Sequence, residues 1–369
     1  MTPLAERIAS EIAERGALSF AAFMERALYD PEGGYYSSGG GRLGPGGDFF
    51  TASDVGPFFG AAMARQVREI DRAIGPFEPF HIVEYGAGRG LLARDLLDAM
   101  QELDADFARR TRYLMVDRSR AMLEEAARRV PEATCVAPSE LKTGLAGCVL
   151  AVELFDALPV HRVRRRDGDL IEVYVDVDAA GRLVEREGPC TSRARRLAER
   201  YGAAAEDGSE AEVAPLADAQ VDTLERSLSR GVMLVVDYGD RAERLYGPGR
   251  PAGTLLAYRR HATNQDYLDR VGEQDLTAHV NFSMLEDRAR ELGLEPLGLT
   301  TQDRFLIANG ILETFRQDDP ARRHDPRQVK ARLQAMQLIH PEGMGRRFKV
   351  LALAKDCRPD LAGLRDPFA

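Results

Sequence analysis

The residues best suited to chemistry are acids that end short apolar runs. Ile82-Val83 leads to Glu84, Tyr113–Val116 leads to Asp117, and Val149–Val152 leads to Glu153, with Asp156 three residues further on. After Glu84 come three glycines at alternate positions, Gly86, Gly88 and Gly90, with Ala87 inside the turn and a helical pattern running on through Leu97. That order is strand, tight turn, helix. Glycine admits positive φ and lets a backbone approach a ligand with no Cβ in the way. In open α/β sheets the ligand lies in the crevice at the carboxyl ends of the strands, where such a turn sits.

The spacing G-x-G-x-G departs from the dinucleotide fingerprint G-x-G-x-x-G, and Glu84 stands two residues before the first glycine. A pyrophosphate favours the positive, bare end of a helix, and a carboxylate at the strand end opposes it. S-adenosylmethionine (SAM) carries an amino group and a sulfonium cation instead, which acids serve. Glu84 then suits the methionine amino group, with Gly86, Ala87, Gly88 and Gly90 cradling the donor. Asp117 suits the two ribose hydroxyls; its structural alternative is an acid complementing a helix dipole. Unpaired acids at a buried strand end are costly to desolvate, so Glu153 and Asp156 read as functional. An ion pair with Arg162, Arg164 or Arg165 is the alternative for them.

These acids need elements to carry them. The apolar runs read as buried strands of a doubly wound sheet, with ATCVAP a further strand and GVMLVVDYGD another. Residues 1–30 read as amphipathic helices, with Leu4, Ile8 and Ile12 at helical spacing. The stretch 31–60 is crowded with glycine and aromatics and reads either as an ordered loop closing over a site or as a surface loop pinned by aromatic plugs, with Thr51 or Ser53 capping the next helix. LIEVYVDVDAAGRLVERE alternates with period two about Ala179-Ala180-Gly181, a hairpin. A polar helical stretch over 192–230 completes an insertion. The segment from GTLLAYRRH to VGEQDLTAHVNF reads as irregular and carries Asp275 and His279. MLEDRARELGL, LEPLGL and RFKVLALAK read as a closing helix and two last strands.

The 369 residues are 44% hydrophobic and 30% charged, a globular composition with ample core material. A formal net charge of −9 argues against a general nucleic-acid binder. Cys135, Cys148, Cys190 and Cys357 are far apart, which gives neither metal-ligand spacing nor a disulfide framework. No metal is expected. No apolar run approaches the ~18 residues of a spanning helix, and Glu6, Glu11 and Glu14 speak against a transit peptide. Cytoplasmic is the expected location.

Eight blocks fall in order along nearly the whole chain: LYDPEGGYYSSG, GDFFTASDVGPFFG, VEYGAGRGLLARDLL, ELFDALPV, VVDYGD, GEQDLTAHVNF, TQDRFLIANGI and HPEGMGRRFKVLAL. Together they resemble the MidA-type SAM-dependent methyltransferases, the family of a mitochondrial complex I assembly factor that methylates a protein arginine. The resemblance implies a Rossmann-like class I methyltransferase fold with an N-terminal helical lid segment and insertions. It also implies SAM as methyl donor, with S-adenosylhomocysteine as product, and a protein substrate presenting an arginine, such as a respiratory complex I subunit. Asp48 and Thr51 of the GDFFT block join the donor contacts. Glu153 and Asp156 become the acids that grip and aim a guanidinium, and His279 or Asp275 takes the released proton. Two positions depart from the family: Val152 stands where it commonly has asparagine, and Asp117 where glutamate is frequent.

The expected organisation is an N-terminal segment over 1–74, a methyltransferase domain over 75–357 and a tail over 358–369. The domain carries insertions near 162–230, 241–280 and 302–345. Nucleic-acid partners and membrane insertion are not expected; a homodimer stays open. Two other functions stay open as well, a small-molecule methyltransferase and a SAM-binding assembly chaperone without turnover.

Overall fold

The computed structural model describes residues 1–37, 51–260, 262–313 and 325–368. Asp48 and most of the glycine-rich stretch expected to close over the site lie outside them. The chain divides into two compact units, one of Met1–Phe49, Phe155–Val221 and Gly239–Arg288, the other of Phe50–Leu154, Asp222–Tyr238 and Ala289–Ala369.

The second of these units holds the main sheet. Its strands, in chain order, are β1 (Phe80–Tyr85), β2 (Thr111–Val116), β3 (Thr134–Val136), β4 (Leu145–Val152), β5 (Leu228–Asp240), β6 (Glu295–Thr301) and β7 (Phe348–Lys355). They lie side by side as β6-β7-β5-β4-β1-β2-β3. β1 through β5 run parallel, and β7 runs antiparallel between β5 and β6. Val149–Leu150–Ala151 in β4 and Val232–Val236 in β5 are fully covered, the near-continuous apolar pattern of strands sandwiched on both faces. The strand order reverses between β1 and β4, which places a crevice at their carboxyl ends. Glu84 and the glycine turn end β1, Asp117 follows β2, and Glu153 follows β4. This is the α/β architecture that the sequence implied.

The other unit packs the helices Pro3–Arg15 and Phe20–Tyr29 with an antiparallel sheet. Leu4, Ile8 and Ile12 are buried along one face of the first helix, as their spacing predicts. The expected hairpin is present, Asp169–Val177 against Leu183–Pro189. Two readings need correction. The polar stretch over 192–230 holds a short strand, Glu210–Val213, which pairs with His161–Arg166. The segment taken as irregular contains a three-stranded sheet of Leu256–Arg259, Ala262–Asn264 and Asp275–Thr277. Strands of three or four residues carry too few side chains for period-two alternation to register.

Candidate functional site

On the donor side, Glu84 is only 4% exposed and accepts a hydrogen bond from the Tyr113 hydroxyl at 2.8 Å. Burial pushes its carboxyl up to about 8 against the lowering pull of Tyr113, and the nearby Asp117 charge pushes the same way as burial. Its place at the end of β1, just before the glycine turn, fits the methionine ammonium of SAM. The turn beyond it is pinned by backbone bonds: Gly86 and Ala87 both donate to the Val116 carbonyl, at 2.8 and 3.2 Å. Gly88 takes φ +51°, and among the described residues a Cβ there would approach the Gly86 oxygen at 3.9 Å. Gly90 is fixed by packing, since a Cβ there would lie 3.1 Å from the Ala126 methyl.

Asp117 accepts backbone N–H groups from Gly88 at 2.9 Å and Ser119 at 2.8 Å, one on each carboxylate oxygen, and the Arg118 N–H also bonds to it. A carboxylate has about four acceptor sites, so hydroxyls of a ribose can still be accepted there. Burial raises its pKa while those N–H groups pull it down. Thr51 caps the short helix Ala52–Val55 in a reciprocal capping box with Asp54. Glu153 sits in the left-handed region at φ +51°, its N–H on the Val236 carbonyl. Its Oε1 accepts the Ala52 N–H at 2.8 Å. Glu84, the glycine turn and Asp117 have chemistry that fits SAM, whereas the Thr51 hydroxyl is engaged with Asp54.

Asp156 and His279 belong to the other unit, because the division falls between Leu154 and Phe155. Asp156 is 6% exposed, and its carbonyl accepts the Ala278 N–H at 3.0 Å, which joins its backbone to the segment bearing Asp275. Asp275 is buried and accepts the Tyr36 hydroxyl at 2.9 Å. Tyr36 stacks on Tyr29, and the Tyr29 hydroxyl donates to the Ala157 carbonyl at 3.0 Å. Burial first, then the charges of Asp275 and Asp156, hold the Tyr36 phenol well above its ordinary pKa, so it stays neutral. Two buried carboxylates and an aromatic pair are thus brought into one unit.

His279 turns another way. Its Nδ1 lies 3.0 Å from the Arg250 guanidinium, which has donors only, so this nitrogen accepts and a neutral ring carries its proton on Nε2. The nitrogen that would receive a proton is already engaged. Arg162 and Arg164, the alternative partners for the acids, are committed to Glu185 at 2.6 and 2.7 Å. Arg162 is also sandwiched against the Phe20 and Tyr267 rings. Sequence reading missed Tyr113 and Tyr36. Tyr36 stood in a quoted block without a role, and Tyr113 lies inside β2 with nothing in its spacing to mark it.

A model of S-adenosyl-L-methionine-dependent methyltransferases matches residues 62–300, well over half the chain. The chain belongs to that family. This methyltransferase is 32% identical to a solved protein from Burkholderia thailandensis with S-adenosylhomocysteine bound, at a TM-score of 0.88 over 98% of this chain and 94% of that one. Among curated proteins it is similar to the mitochondrial protein arginine methyltransferase NDUFAF7 homolog of Drosophila melanogaster, 29% identical over 95% of this chain and 84% of that protein. It is also similar to the mitochondrial protein arginine methyltransferase NDUFAF7 of Danio rerio, 28% identical over 96% and 87%. The class I methyltransferase fold and SAM as donor are thereby established. The cytoplasmic expectation is overturned, because these relatives are named mitochondrial. It rested on the acids among the first residues, and composition at the start of a chain does not set a compartment. Among the described residues, no helix is long and apolar enough to cross a membrane, and no cluster of metal-ligating side chains occurs.

Proposed function

We propose that this methyltransferase moves a methyl group from SAM to an arginine side chain of a protein. The observation that carries the reading is the pair of buried carboxylates, Asp156 and Asp275, on backbones joined by the Ala278–Asp156 hydrogen bond. The naming of full-length relatives as protein arginine methyltransferases supports it.

An arginine stays protonated in water (pKa above ~12), so its nitrogens are poor nucleophiles until charge is drawn to one side of the group. Asp156, with Asp275 behind it, grips the guanidinium and localises its positive charge away from the reacting nitrogen. Tyr36 holds Asp275 in place through its hydroxyl. Glu84 holds the donor's ammonium, and Asp117 its ribose hydroxyls. Bound SAM supplies an electrophilic methyl group on a sulfonium sulfur. Holding both partners in line contributes up to about 7–11 kcal/mol in favourable cases. The proton lost from the methylated nitrogen passes to the Asp156 carboxylate. Glu153 reads better as the fastener of the Thr51–Val55 turn than as a second grip, because its Oε1 already accepts the Ala52 N–H.

The test is to incubate the enzyme and methyl-labelled SAM with lysate from a deletion strain and identify the labelled product by mass spectrometry. Label on arginine of a protein is expected, and Asp156→Asn should remove most of it while leaving S-adenosylhomocysteine affinity intact. Label confined to small molecules would replace the reading with a small-molecule methyltransferase. Tight cofactor binding with no labelled product would point to a binding protein instead.

A further inference from the structure

The glycine turn poses a mechanical problem. Gly86, Gly88 and Gly90 all take positive φ, at +72°, +51° and +72°. Glycines have the widest conformational freedom of any residue, so a turn built on three of them needs external bracing to present one shape to a ligand. The backbone bonds to Val116 and the Gly88 N–H on Asp117 brace its first half. Its second half contains a single polar side chain, Arg89.

Arg89 reaches Asp54 at 2.5 Å, and both side chains are largely withdrawn from water, 14% and 2% exposed. The Arg89 carbonyl in turn receives the Arg129 guanidinium. Asp54 is itself immobilised. Its Oδ2 accepts the Thr51 N–H at 3.1 Å and the Thr51 hydroxyl at 2.9 Å, while Oδ1 takes Arg89. The next residue along, Ala52, is tied to Glu153 at the end of β4. A chain of contacts thus runs from the end of β4, through the Thr51–Val55 turn, to the guanidinium between Gly88 and Gly90.

A surface ion pair would mean little here, because exposed pairs contribute almost nothing. This one is covered, so removing one partner leaves the other as an uncompensated buried charge. Arg89 would then have to leave its place, and it would strain the short backbone between Gly88 and Gly90 on which it sits.

We propose that Asp54 is a positioning residue for the methyl donor, acting through Arg89 to hold the glycine turn in its binding shape. Neither side chain needs to touch SAM. The pair converts a flexible G-x-G-x-G turn into a rigid cradle, and it links that cradle to the segment carrying Thr51. Nothing in the glycine spacing reveals this, because the partner lies 35 residues earlier in the chain.

The experiment is a double-mutant cycle read by calorimetry with S-adenosylhomocysteine as probe. Asp54→Asn and Arg89→Met should each weaken binding about tenfold or more. The double variant should be no worse than the weaker single one, because both remove the same contact. Arg89→Lys, which keeps the charge and loses the planar fork, should fall in between. In steady-state kinetics the KM for SAM should rise more than kcat falls. Thermal unfolding of the free variants separates the alternatives. A lowered Tm with unchanged affinity would make the pair a plain structural brace and overturn the proposal, as would single effects on affinity that simply add.

Discussion

Glu84 is a group whose protonation should change with function. Its folded carboxyl titrates near 8, above the ~4.3 of an unfolded glutamate. Between those values the native state keeps a proton that the unfolded chain releases, so this residue's contribution to stability falls as pH rises from about 4.5 to 8. A bound ammonium favours the charged form, so binding should release about one proton at pH 7 and tighten as pH rises toward 8. Calorimetry of S-adenosylhomocysteine in buffers of different ionisation enthalpy measures the release, and Glu84→Gln should abolish it. Asp117→Ala should weaken the same ligand by about tenfold or more and also lower the Tm, because the Gly88 and Ser119 N–H groups lose their acceptor along with the ligand hydroxyls. Both acids were legible in the sequence, since an acid that ends an apolar run stands out. Their partners were not: Tyr113 and the backbone N–H groups of Gly88 and Ser119 become neighbours only once β1 and β2 lie side by side.

At the scale of elements, the central strands leave no room for side chains at two glycines near their starts, where φ is +145° at Gly147 and +149° at Gly231. Gly147 in β4 lies opposite His81 of β1 on one side and Gly231 of β5 on the other. A Cβ at Gly147 would fall 2.0 Å from the His81 carbonyl oxygen, and one at Gly231 1.9 Å from the Gly147 oxygen. Gly147→Ala should therefore cost about 3 kcal/mol or more, visible as a fall in the urea midpoint. Had the midpoint held, the close approach would be relaxed in solution. The long strands and the helix Phe282–Glu291 were readable because several turns or alternations repeat the signal. The strands Ala262–Asn264 and Asp275–Thr277 were not. They are set by the neighbours they pair with, which a local window cannot see.

For the whole molecule, charge is the informative quantity. A net charge of −9 discourages nucleic acid and suits a cationic acceptor. The KM for an arginine-bearing peptide should rise several-fold as ionic strength increases from about 0.05 to 0.5 M, because screening shortens the reach of that field. The KM for SAM, held by buried contacts, should move little. Equal salt sensitivity for both substrates would count against a cationic acceptor. What the sequence could not show is where the chain parts into two units. The division after Leu154 falls inside ELFDALPV, a continuous block with no glycine or charge run to mark a border.

That same block contains a residue whose backbone and side chain pull in opposite directions. At φ +51°, Glu153 occupies a region where a Cβ is a burden and glycine or asparagine is at ease. The chain nevertheless keeps a long acid there. A mutational scan that selects only for folded protein should enrich glycine and asparagine at 153, whereas one that selects for methyl transfer should retain glutamate. Position 153 would then score as a liability in one library and as indispensable in the other.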